Sequence, residues 1–101
     1  MDSSTLEDYL DEIGDFYFVK FFNIFQSYSN HHITKVECID ILTLDYKVDV
    51  SDAIQKCNVA KKIFDDKKEF EVLELILNRN SDHHIQNSIK DIYSNLYKKA
   101  V

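Results

Sequence analysis

The chain has 101 residues, a net charge of −6, one glycine and no proline. Sheet-rich folds draw their tight turns from glycine and proline, so this composition excludes a β-sandwich or barrel, and with a single glycine it excludes a glycine-rich phosphate loop. Hydrophobic residues make up 45% of the chain, enough for one modest core, and the acidic balance argues against nucleic acid as the partner.

The first predicted helix opens at Ser4-Thr5-Leu6-Glu7, a capping box in which serine and glutamate each satisfy a free amide. Leu6, Leu10 and Ile13 follow as one apolar stripe, and Gly14 ends the helix. Asp15 is the expected cap of the second helix, whose buried face is Phe18, Phe21, Phe22 and Phe25. Phe16 and Tyr17 precede that face, so one of them is expected to be exposed and to become a partner-contact candidate.

Thr34-Lys35-Val36-Glu37 is a second capping box, leading into Val36, Ile39 and Leu42. Residues 39–50 read as helix running into loop, since a lone strand there has no partner. Asp49 or Ser51 opens a fourth helix carrying Ala53, Ile54, Cys57, Ala60 and Ile63 or Phe64. Asp66-Lys67-Lys68-Glu69 resembles a further capping signal before a fifth helix with Phe70, Leu73, Ile76 and Leu77 inward. Ser81 is the expected cap of a sixth, striped by Ile85, Ile89, Ile92 and Leu96. The expectation is an all-α, compact six-helix antiparallel bundle, a single domain over residues 1–101.

No apolar run approaches the roughly 20 residues of a membrane span, and Met1-Asp2-Ser3-Ser4 lacks the basic region of a signal peptide. Cys38 and Cys57 suit a reducing compartment as small buried residues. An intracellular protein with no membrane partner is expected. The pairs His31-His32 and His83-His84 lack metal-ligand spacing, because neighbours on a helix point about 100° apart. No nucleophile or acid–base motif is present. The expectation is no catalytic residue, no metal and no cofactor.

The spacing Leu6-x-x-x-Leu10-x-x-Ile13-x-x-x-x-Phe18-x-x-Phe21 resembles the first two helices of pyrin domains, members of the death-fold superfamily. Ile33-Thr34-Lys35 is similar to that family's step into helix 3. The run from Phe70 to Leu77, with Ile85 and Ile89, is similar to its last two helices. Between Ile33 and Phe70 the chain is several residues longer than a typical pyrin domain. Death-effector domains share the spacing of the first two helices, but their Arg-x-Asp-Leu motif is missing here. The Asn-, Ile-, Asp- and Lys-rich composition looks like an AT-rich coding genome, and since pyrin-only proteins of that type are found in poxviruses, the resemblance points to a viral pyrin-only protein.

That resemblance implies a surface. Pyrin domains assemble through an acidic face that meets a basic one. Here Glu7, Asp8, Asp11, Glu12 and Asp15 supply the acidic side, Lys20 and Lys35 match basic positions, and Val19 replaces a further lysine. Acidic residues early in a helix also complement its dipole without any partner. The implied function is a viral pyrin-only protein that binds the pyrin domain of a host inflammasome adaptor and caps its assembly. It would act in the host cytoplasm or nucleus, as a monomer or weak oligomer. The alternatives are a death-effector-like or Bcl-2-like inhibitor of apoptosis or NF-κB signalling, and a self-assembling structural protein.

Overall fold

The structure is a computed structural model that describes residues 3–100, with side chains described for residues 6–95. It is all-helical: α1 (Ser3–Ile13), α2 (Asp15–Lys20), α3 (Phe22–Ser29), α4 (Lys35–Asp40), a π-helical segment (Ile41–Asp45), α5 (Val50–Asp65), α6 (Glu69–Arg79) and α7 (His83–Ala100). Among the described residues seven α-helices stand where six were expected, because the second expected helix divides at Phe21. No strand forms among the described residues, and residues 39–50 run from helix into loop as expected.

The break at Phe21 has a packing cause. Phe21 and Phe22 are both fully buried, yet a straight helix would point them about 100° apart. Phe21 leaves helical geometry (φ −102°, ψ 15°), although its N–H still donates to Tyr17 O and its carbonyl still accepts from Phe25 N, both at 2.9 Å. The bend lets each ring find its own partners. Phe21 meets Tyr46 edge-on at 4.8 Å, while Phe22 meets Phe64 of α5 at 5.1 Å. Phe18 stacks on Phe64 at 6.0 Å, so an aromatic cluster joins α2 and α3 to α5. Leu10 and Ile13 of α1, Leu73 and Ile76 of α6, and Ile89 of α7 complete one continuous core.

With so little glycine, the chain turns on other residues. Gly14 takes φ +92° between α1 and α2, the termination expected of it. His31 (φ 63°) and Lys67 (φ 59°) occupy the left-handed position after α3 and α5. In each case the backbone closes a Schellman turn: His32 N donates to Ser27 O and Lys68 N to Ile63 O, both at 2.9 Å. The π-helical segment has a local cause as well. The Thr43 hydroxyl donates to Ile39 O at 3.0 Å, competing for the carbonyl that a regular α-helical turn would use. Lys47 (φ 62°) then reverses the chain so that Val48 N reaches Leu42 O at 3.0 Å.

Several expected details are corrected. α1 already includes Ser3, so the Ser4 box would sit inside the helix; its side chain lies outside the described residues. Gly14, not Asp15, occupies the cap position of α2. Asp82, not Ser81, caps α7, its carboxylate accepting from His84 N at 2.8 Å. Asp66 ends α5, and α6 starts after Lys68 with no side-chain cap, so the third capping signal is absent. The Thr34–Glu37 box forms in full, at 3.0 and 3.1 Å, and of the two residues offered for α5 it is Asp49 that caps.

Val36 is 66% exposed, because α4 turns Cys38 and, beyond it, Leu42 to the core instead. Ile54 is also exposed, and Phe70 (40% exposed) lies outside the core, stacked on Tyr93 at 5.9 Å. Leu96 lies outside the described side chains.

Candidate interaction surface on helix 1

α1 is two-sided. Leu6, Leu10 and Ile13 are buried, and the helical period therefore turns Glu7, Asp8, Asp11 and Glu12 outward, where all four are exposed. Glu7, Asp8 and Glu12 enter no ion pair among the described residues.

Asp11 and Asp15 converge on Arg79, the chain's single arginine, at the end of α6. Arg79 Nη2 donates to Asp11 Oδ1 at 2.9 Å and to Asp15 Oδ1 at 2.6 Å, and its Nε donates to Asp15 Oδ2 at 3.0 Å. Asn80 also donates to Asp15. The hydrogen bonds from Arg79 to Asp15, then to Asp11, hold the guanidinium above its ordinary pKa. Asp15 thus fastens the start of α2 to the end of α6. Its side chain is 15% exposed, against 65% for Asp11, which keeps an outward carboxylate edge. Lys62 of α5 lies 5.7 Å from the ring of Tyr9 on α1.

The basic residues are placed differently. Lys20 Nζ lies 5.2 Å from the Phe16 ring centre, 5.9 Å from that of Phe21 and 5.0 Å from that of Tyr46, so cation–π attraction holds it among three aromatic rings. Lys35 is exposed at the first position of α4. Neither lysine enters an ion pair among the described residues, and Val19, the position that lacks a lysine, is buried.

Beside Lys20 lies a groove of about 420 Å³ between α2 and the start of α7, lined by Phe16, Val19, Lys20, His84, Ile85 and Ser88. Phe16 is 53% exposed on its rim, and Tyr17 is exposed as well, so both aromatics before the buried face reach solvent rather than one. Sequence reasoning found Phe16 but not the groove, whose far wall comes from residues almost seventy positions later.

The histidine pairs sit at chain reversals. His31 and His32 form the turn after α3, and His83 and His84 open α7. No group of three or more metal-ligating side chains gathers among the described residues. No described helix is long and apolar enough to cross a membrane. Compared with known proteins, the chain matches no family model, no curated protein and no solved structure.

Proposed function

We propose that the chain is a pyrin-like interaction protein of the death-fold class, of the viral pyrin-only type, which binds the pyrin domain of a host inflammasome adaptor and stops its assembly. It would act in the host cytoplasm. The observation that supports this reading is the outward acidic face of α1: Glu7, Asp8, Asp11 and Glu12 are exposed on one helix whose other side is core. The opposing basic set is thin. Lys20 sits among the rings of Phe16, Phe21 and Tyr46, Lys35 stands on a different helix, and Val19 is buried.

Such an asymmetry favours capping over growth. Head-to-tail contacts extend indefinitely when both faces work, and stop when one does not. Complementary charge steers the encounter and sets its orientation. The test follows growth of adaptor pyrin-domain filaments by light scattering while the purified chain is titrated in. Suppression at substoichiometric ratios, with no scattering from the chain alone, is the expected result. Unchanged growth would overturn the reading, and filaments formed by the chain itself would favour self-assembly instead.

A further inference from the structure

Cys38 of α4 and Cys57 of α5 are both fully buried, and their sulfurs lie 3.0 Å apart within hydrogen-bonding reach. They are the chain's only two cysteines and both are free thiols. A disulfide bond is about 2.05 Å long, so closing one requires roughly 1 Å of sulfur movement. We propose that Cys38 and Cys57 form a reversible dithiol switch that exchanges with low-molecular-weight disulfides of the glutathione class and, when oxidised, staples α4 to α5.

The chemistry is ordinary thiol–disulfide exchange. Cys38, as thiolate, attacks one sulfur of oxidised glutathione. The S–S electron pair leaves with the first glutathione thiolate, which takes up the released proton. Cys57 then loses its proton and attacks the Cys38 sulfur of the mixed disulfide, expelling the second glutathione. Two protein thiols are oxidised and one disulfide is reduced to two thiols. The hydrogen bond from Cys57 favours ionisation at Cys38 first, whereas that same bond and burial push Cys57 up.

Access comes from the element that holds Cys38. α4 has six residues, four of them exposed (Lys35, Val36, Glu37 and Asp40), and it passes directly into the π-helical segment. A short helix with so little buried surface is the kind of unit that opens locally while the rest stays folded. Oxidation would close that opening and hold Lys35, at the first position of α4, against α5.

The test equilibrates the full chain with buffers of reduced and oxidised glutathione, once folded and once in guanidinium. The readout is the ratio of ring-closed disulfide to dithiol by acid quench and intact mass. The folded chain should favour the disulfide by about 100-fold over the unfolded chain, the middle of the range for bridges that suit native geometry. Its helical circular dichroism should persist, and dithiothreitol should restore the thiols. An equal or lower preference in the folded state would overturn the proposal. So would unfolding on oxidation, or a folded end product that carries glutathione on one cysteine.

Discussion

Arg79 meets Asp15 fork to fork across 64 positions of sequence, its Nε and Nη2 donating to the two carboxylate oxygens at 3.0 and 2.6 Å. The same Nη2 donates to Asp11. One guanidinium therefore ties the junction of α1 and α2 to the last residue of α6. The tie also divides the acidic face, because Asp15 is committed to the fold while Glu7, Asp8 and Glu12 are not.

Replacing Arg79 with methionine removes all three hydrogen bonds and leaves two carboxylates side by side. The Arg79 side chain is 37% exposed, and solvent screening keeps the expected loss to about 1 kcal/mol. Arg79→Lys should recover less than half of it, since an ammonium cannot present two parallel donors. Urea unfolding midpoints check both values.

The left-handed turns predict changes of opposite sign. At Lys67 (φ 59°) a glycine relieves the crowding between Cβ and carbonyl, so Lys67→Gly should stabilise by about 0.5–1 kcal/mol. At Gly14 (φ +92°) an added Cβ would sit an unstrained 3.6 Å from Tyr17, so the cost of Gly14→Ala is in the backbone. It should lose about 1–2 kcal/mol. Thermal melts of the two variants should move in opposite directions.

Tyr93 sets an alkaline limit. Burial, then the hydrogen bond its hydroxyl donates to Glu74 at 3.1 Å, push its pKa up to about 12 from 10.0. Between those values the folded state keeps a proton that the unfolded chain loses. The contribution is therefore complete below pH 10 and falls away as pH rises towards 12. Tyr93→Phe should flatten the loss of stability across that window, measured by urea titrations at successive pH values.

Phe16 and Phe18 separate surface from core within one helix. Phe18 is fully buried among Phe22, Phe25 and Phe64, and Phe18→Ala should cost about 3–5 kcal/mol. Phe16, on the groove rim, should change stability by less than about 0.5 kcal/mol when replaced by alanine. If the groove contributes to partner binding, Phe16→Ala should weaken binding at unchanged stability, which calorimetry on the same sample reads directly.

What the sequence made legible was local. The Thr34–Glu37 box, the Gly14 stop and the apolar stripe of α1 depend on residues within a turn or so of one another, and each is present. The hold of Arg79 on Asp15 was not readable, because the guanidinium arrives 64 residues later. Val36 and Phe70 were placed inward on period alone, but a short helix has its buried face chosen by its neighbours. The division at Phe21 reflects two adjacent rings that both need the core. Four carboxylates on the outer side of α1 were readable from spacing, whereas the Arg79 tie, the groove and the Cys38–Cys57 contact exist only once the chain is folded.

The proposed function requires the acidic face of α1 to recognise a basic pyrin-domain surface. Titration calorimetry of the isolated adaptor pyrin domain with the wild-type chain and with a Glu7→Lys, Asp8→Lys, Glu12→Lys variant tests it most directly, since none of these three residues enters an ion pair among the described residues. Wild-type binding should weaken with added salt, and the variant should lose at least about tenfold in affinity at unchanged helicity. Equal affinity for both proteins, or no binding by the wild type, would contradict it.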